Sequence, residues 1–86
     1  MLETARKTIH TARYDRLRRM LIAARETTGL TQIEVAEALG RPQSFVSKYE
    51  IGERRIDVEE FLQIADALQI DAVTLLRSLL KNVHES

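Results

Sequence analysis

Residues 31–52 of the chain read TQIEVAEALGRPQSFVSKYEIG. The segment opens on the spacing of a capping box, in which the hydroxyl of Thr31 accepts a backbone N–H and the glutamate three residues later reaches back to the cap. The two glycines are typical of helix C-termini. Pro42 suits the first turn of a helix, because its missing N–H has no intrahelical partner there. The pattern therefore predicts two short helices, over about 31–39 and 42–51, with a tight turn between them.

The second of these helices has two chemically different faces. Its inward face carries Phe45, Val46 and Tyr49 at helical spacing. Its outward face is polar and consists of Gln43, Ser44, Ser47 and Lys48. The small side chain of Ala36 lets the two helices cross steeply in a helix-turn-helix arrangement, whose projecting helix can enter a DNA major groove about 12 Å wide. A simple pair of packed helices is the alternative interpretation.

The rest of the chain has the same helical periodicity, with no sustained alternation of the kind that strands show. A first helix is predicted over about 14–27, and two more follow the capping pattern that begins at Asp57. The sequence thus predicts an all-α domain of five short helices over residues 14–83. Residues 1–13 are predicted to form either a basic arm or a short helix, and residues 84–86 a tail.

The charge of the chain cancels overall but not locally. Thirteen basic and thirteen acidic side chains give a net charge of zero. Residues 1–29 hold seven basic against three acidic side chains (+4), whereas residues 57–86 hold two against six (−4). The amino-terminal part can therefore approach phosphate, and the acidic part keeps the molecule soluble. A mixed, solvated surface is the alternative.

Composition excludes several function classes. The chain has no cysteine, so disulfides, thiolate chemistry and cysteine zinc sites are impossible. The longest apolar run, Met20–Ala24, is far shorter than the roughly 18–20 residues of a membrane span. His10 and His84 are isolated near the termini, and there is no glycine-rich phosphate loop. We therefore expect no catalytic constellation, no metal site and no cofactor.

The segment from Leu30 to Gly40, followed by QSFVSKYE over 43–50 and by Gly52, resembles the Cro/repressor-type (Xre) helix-turn-helix family of transcriptional regulators. The resemblance spans roughly residues 14–80. It implies a compact five-helix bundle of the lambda-repressor-like type, with helices two and three as the helix-turn-helix. It also implies a sequence-specific regulator of double-stranded DNA, a repressor that binds a palindromic operator as a homodimer.

The resemblance implies a set of base-reading residues on the third helix. The positions that match the family's base-facing positions are Gln43, Ser44, Ser47 and Lys48. Their chemistry agrees, because glutamine can bind adenine bidentately and lysine can reach the acceptors of guanine. The alternatives are a solvated first turn for Gln43 and Ser44, close approach alone for Ser47, and a phosphate contact for Lys48.

A second set is expected to contact the DNA backbone. Gln32 matches the family position that binds a phosphate at the start of helix two. Arg41, Arg54 and Arg55 lie in the turns on either side of helix three and suit phosphate contacts, with solvated surface charges as the alternative. The chain departs from the family at Arg41, where an apolar residue is common, and at the following proline, where a serine or threonine often caps the helix.

Three residues are expected to have structural roles. The resemblance brings Arg25 and Glu50 together as an ion pair in which helix one braces the end of helix three. Phe45 stands where small polar residues are common in the family, and we expect it to pack against neighbouring helices. Contact with a thymine methyl is the alternative.

The fifth helix carries more apolar residues than one small core consumes. We therefore expect part of its stripe to form a dimer interface, drawn from Leu76, Leu79, Leu80 and Val83. Complete burial within one subunit is the alternative. Two copies would strengthen binding and would require half-sites about 34 Å apart on the duplex.

Two other function classes compete with the regulator. One is an antitoxin or a protein-interaction module that keeps the helix-turn-helix fold, which the acidic carboxyl-terminal third favours and Gln32, Gln43 and Lys48 oppose. The other is an enzyme, for which no site residues are visible. Double-stranded DNA and a second copy of the chain are the expected partners, a further protein partner stays open, and the expected location is the cytoplasm, at the nucleoid.

Overall fold

The computed structural model of the protein describes residues 11–83, with side chains to residue 81. Within this range there are five α-helices and no strands, so the predicted all-α class is confirmed. In chain order the helices are α1 (Ala12–Thr28), α2 (Gln32–Leu39), α3 (Gln43–Ile51), α4 (Val58–Leu68) and α5 (Ala72–Val83). Residues 1–10, which include His10 and most of the predicted arm, lie outside the described residues, as does the tail with His84.

Local side-chain chemistry sets most helix starts. Both predicted capping boxes are confirmed, at Thr31 for α2 and at Asp57 for α4. Helix α1 begins at Ala12, two residues earlier than predicted, because the hydroxyl of Thr11 accepts the backbone N–H of Tyr14 at 3.0 Å. That cap lacks the reciprocal glutamate of a capping box, so its sequence signal is weaker.

The start of α3 differs from the prediction by one residue. Pro42 is not in the first turn but is the N-cap, with extended backbone angles (φ −67°, ψ 155°), and the helix begins at Gln43. Gly40 ends α2 at a φ of 67°, in the left-handed region that glycine adopts without steric cost. The chain therefore leaves one helix through this glycine and enters the next at the proline.

Helix α3 packs against α1 and α2. Val35 of α2, Val46 of α3 and Ile64 of α4 are completely buried. The full cluster of buried apolar residues is Leu21, Val35, Ala36, Phe45, Val46, Tyr49, Phe61, Ile64, Leu68 and Leu75. The predicted inward face of α3 is thus confirmed, and it fixes the direction in which the opposite face points.

In the part of the chain that the structure describes, no helix is long and apolar enough to cross a membrane.

Candidate nucleic-acid interface

The outward face of α3 is polar and accessible. Gln43, Ser44 and Lys48 are exposed, and Ser47 is half-buried. Phe45 is buried, as expected, and its ring packs against that of Tyr49 in a T-shaped pair with 5.5 Å between the centroids. Because this aromatic pair anchors the helix from inside, the polar side chains stand on a rigid support.

Gln43 is held in place by a second glutamine. Its Nε2 donates to Oε1 of Gln32 at 3.2 Å, and Nε2 of Gln32 donates in turn to Oε1 of Glu50 at 2.8 Å. A glutamine amide has two donor hydrogens and one acceptor oxygen. Gln43 therefore keeps one N–H and its oxygen, which is the pair of groups that matches the donor and acceptor of adenine in the major groove.

Glu50 is the centre of this network, and the structure joins it to Arg25. Nε of Arg25 lies 2.7 Å from Oε2 of Glu50, and Nη2 lies 3.1 Å from Oε1. The remaining arm of the guanidinium donates to the carbonyl of Leu30 at 3.0 Å, and Arg18 donates to the backbone carbonyl of Glu50. The hydrogen bond with Glu50 raises the pKa of Arg25 above its ordinary value, although burial opposes the shift. Helix α1 is thereby tied to the end of α3.

A second buried carboxylate, Glu60 of α4, gathers two of the predicted backbone-contact arginines. Arg54 places Nη1 3.0 Å from Oε1 and Nη2 2.9 Å from Oε2, and Nη2 of Arg41 lies 3.2 Å from Oε2. Both guanidinium groups lie over the ring of Phe45, with their central carbons 4.3 Å (Arg41) and 4.9 Å (Arg54) from the centroid. We call Glu60, Arg41, Arg54 and Phe45 the Glu60 cluster.

The Glu60 carboxylate is strongly stabilised in its charged form. The hydrogen bonds from Arg54, then the backbone N–H of Asp57, lower its pKa to about 2, although burial opposes the shift. Glu60 thus stays ionised well into the acid range.

Arg55 lies apart from the other two arginines. Its guanidinium lies over the ring of Tyr14 in α1, 4.4 Å from the centroid. The hydroxyl of Tyr14 accepts the backbone N–H of Ile56 at 3.2 Å, which fixes the loop beside it. The three arginines predicted for the DNA backbone therefore occupy two places on the molecule.

The predicted dimer residues of α5 divide between core and surface. Leu79 is buried in its own chain at 7% exposure, which for this residue favours the alternative of burial within one subunit. Leu76 and Leu80 are exposed at 42% and 58%. The side chain of Val83, the fourth predicted residue, lies outside the described residues.

The sequence analysis missed the role of Glu60 beyond its cap. Its arginine partners are 19 and 6 positions away, spacings that match no helical repeat, so only the path of the loops brings them together. The same holds for the Gln32–Glu50 hydrogen bond, 18 positions apart. Among the described residues no group of three or more histidines and carboxylates could hold a metal ion.

Comparison with known proteins gives a consistent result. The model of the family HTH_3, described as helix-turn-helix, matches residues 21–75. A solved structure of an XRE-family like protein from Pseudomonas syringae pv. tomato str. DC3000 is 51% identical, with a TM-score of 0.82 over 90% of this chain and 94% of that one. No curated protein matches significantly.

Two more distant structures share the fold alone. A mutant of the restriction-modification controller protein C.Esp1396I is 19% identical, with a TM-score of 0.75 over 85% of this chain and 92% of that one. The clp gene regulator ClgR from C. glutamicum is 22% identical, with a TM-score of 0.72 over 85% of this chain and 95% of that one.

Proposed function

We propose that this chain, which belongs to the XRE-like helix-turn-helix family of DNA-binding transcription regulators, acts as a repressor that occupies a palindromic operator as a homodimer. The observation that carries the proposal is the outward face of α3, on which the exposed Gln43 is oriented through Gln32 and keeps one N–H and its oxygen for a base. A site that holds its reading group in advance loses less side-chain entropy when it binds.

In this proposal α3 lies in the major groove. Gln43, Ser44, Ser47 and Lys48 contact base edges, and Gln43 reads an adenine. The backbone contacts come from Gln32, Arg41, Arg54 and Arg55, which set the register of the protein on the duplex without reading sequence. As a duplex-binding regulator, the protein works at the nucleoid, in the cytoplasm.

The homodimer is supported by an exposed apolar surface on α4 and α5. Leu76 and Leu62 line a groove of about 250 Å³ together with Val58, which is 75% exposed. Leu80 lies one helical turn beyond Leu76 on the same face of α5. Contiguous apolar surface of this kind marks interaction sites, and a second copy would supply the second recognition helix that a palindrome requires.

The test of DNA binding is selection from random duplex DNA, followed by titration of the selected duplex at two salt concentrations. We expect an enriched palindrome whose affinity falls steeply with salt, because phosphate contacts release counterions. If no sequence is enriched at any salt concentration, the regulator is excluded and the protein-interaction module, an antitoxin for instance, takes its place. The acidic carboxyl-terminal third and the apolar groove would then be its binding surface.

The test of the dimer is sedimentation of Leu80→Ser beside Ile33→Ser. Both changes remove an exposed aliphatic side chain, since Ile33 is 53% exposed on α2. We expect only Leu80→Ser to weaken self-association. Equal behaviour of the two variants, or a wild-type protein that is monomeric on its operator, would contradict the α5 interface.

A further inference from the structure

We propose that Glu60 is a positioning residue for DNA binding: it holds Arg41 and Arg54 as a rigid pair whose outer edges bind backbone phosphate beside the recognition helix. This inference rests on the proposed function. It adds a carboxylate, a group that repels phosphate, to the residues on which DNA affinity depends.

The carboxylate is itself fixed by the start of α4. Oε1 of Glu60 accepts the backbone N–H of Asp57 at 2.9 Å, and the N–H of Glu60 donates to Oδ1 of Asp57 at 2.7 Å. Glu60 is 8% exposed. It therefore cannot follow a moving arginine, and the arginines take their positions from it.

Each arginine is held on two sides. The carboxylate of Glu60 binds one edge of the guanidinium, and the ring of Phe45 covers one face. The other surfaces stay open to solvent, because the side chains of Arg41 and Arg54 are still 37% and 40% exposed. The pair is thus immobilised without being hidden.

Arg54 retains the donors that a phosphate needs. A guanidinium has five N–H donors. Its Nη1 group donates to Glu60 and to the carbonyl of Arg55, and Nη2 donates once to Glu60. The Nε hydrogen and the second Nη2 hydrogen make no hydrogen bond with the described residues, and together they form the parallel fork that binds two oxygens of one phosphate.

The charge of the cluster favours an anion. Within the Glu60 cluster two guanidinium groups stand against one carboxylate, next to the exposed first turn of α3. The carboxylate of Asp57 also acts on Arg54, but it accepts the N–H of Glu60 at the start of α4, so the exposed edges of the guanidinium groups are what a phosphate meets. A phosphate binds these edges without displacing Glu60. If Glu60 instead competed with phosphate for the arginines, removing its charge would strengthen DNA binding.

The experiment compares Glu60→Gln with Glu59→Gln on the selected duplex and on an unrelated one. Both variants raise the net charge by one, but Glu59 is exposed, and of the residues that the structure describes only Gln63 donates a hydrogen bond to its carboxylate, at 3.1 Å. We expect Glu60→Gln to weaken binding to both duplexes about tenfold, since two long side chains must then be ordered on binding. Glu59→Gln should bind as the wild type does or slightly tighter.

Two further variants separate positioning from folding and from charge. In an Arg41→Ala/Arg54→Ala background, Glu60→Gln should cause no additional loss of affinity. Arg54→Lys keeps the charge but loses the fork and the planar contact with Phe45, so it should weaken binding severalfold even if Glu60→Gln fails to fold.

The outcomes are distinct. Uniform weakening by Glu60→Gln that disappears in the double-alanine background supports the inference. Unchanged or tighter binding by Glu60→Gln, or wild-type affinity of Arg54→Lys, overturns it and leaves the regulator intact. A wild-type protein that binds no duplex overturns both.

Discussion

Two buried glutamates hold arginine side chains beside α3, and they differ in how far these arginines are enclosed. Glu50 holds Arg25, whose side chain is only 16% exposed. Glu60 holds Arg41 and Arg54, whose side chains are 37% and 40% exposed. Both carboxylates are themselves buried, at 5% and 8% exposure.

This difference separates stability from binding. The pair of Arg25 and Glu50, which we call the closed pair, is largely enclosed, so the Glu50 network acts on the fold and, through Gln32, on the orientation of Gln43. In the Glu60 cluster the guanidinium groups of Arg41 and Arg54 keep N–H donors at the surface, so this cluster can also bind phosphate. In the proposed function, one kind of interaction thus serves both base reading, through Gln43, and backbone contact, through Arg41 and Arg54.

The largest effect is expected where the closed pair is broken. Glu50→Ala leaves the guanidinium of Arg25 poorly solvated and without its carboxylate, and should lower the free energy of unfolding by about 3–5 kcal/mol. Urea denaturation measures this change. Glu37→Ala, an exposed glutamate on α2, is the control and should stay within about 0.5 kcal/mol of the wild type.

The contradicting result for Glu50 would be unchanged thermal stability together with lost DNA binding. Folding would then not depend on the closed pair, and the contrast with Glu60 would disappear. Replacing Arg25 and Glu50 together by apolar residues sharpens the test, because it removes the isolated charge and should recover most of the loss.

The next largest effect is expected at Gln43, which is linked to the closed pair through Gln32. Gln43→Ala should cost about 1–3 kcal/mol at one base pair of the operator and leave the other positions unchanged. Binding to operators with single base-pair substitutions measures it. A uniform loss over all operators would move Gln43 from base reading to backbone contact.

Lowering the pH should destabilise the fold through the Glu60 cluster in a defined pH range. Folding lowers the pKa of Glu60 from 4.5 to about 2. Its ion pairs therefore stabilise the fold fully above the pKa of the unfolded chain, and this stabilisation is lost as the pH falls through the pKa of the folded protein. Between pH 5 and pH 3 the wild type should lose about 1–2 kcal/mol more unfolding free energy than Glu60→Gln. Urea midpoints of both proteins that fall in parallel would show that Glu60 is not held in this way.

The smallest effect is expected from a single phosphate contact. Arg54→Ala should weaken binding to all duplexes alike and lower the slope of log affinity against log salt by about one. Titration of several duplexes over a range of salt measures it. A loss of affinity confined to operators changed at one base pair would mean that Arg54 reads a base in the groove, as is proposed for Gln43, and does not contact phosphate alone.

Local chemistry explains what the sequence could predict. The capping boxes at Thr31 and Asp57 and the glycines at helix ends act over a few residues, so four of the five helices were located closely from these signals. Helix α4 is capped at its C-terminus by Gln69, a non-glycine residue with a φ of 59°. No residue pattern in the sequence predicts that turn.

The contacts of the candidate interface were less accessible to prediction. The Arg25–Glu50 pair was expected only from the family resemblance, because it links helices 25 positions apart. The Glu60 cluster was missed, since it depends on how two loops converge on one aromatic ring. Periodicity tells which face is polar, and only the packing tells which polar groups meet.

The Gln32–Gln43 hydrogen bond also constrains how this protein can acquire a new operator. A substitution at position 43 alone removes the N–H that donates to Oε1 of Gln32. The new side chain then lies beside a glutamine whose position suits another glutamine. Libraries that vary positions 32 and 43 together should therefore yield variants with a new operator preference more often than libraries that vary one position. During evolution, a change of operator sequence should likewise be accompanied by substitutions at both positions.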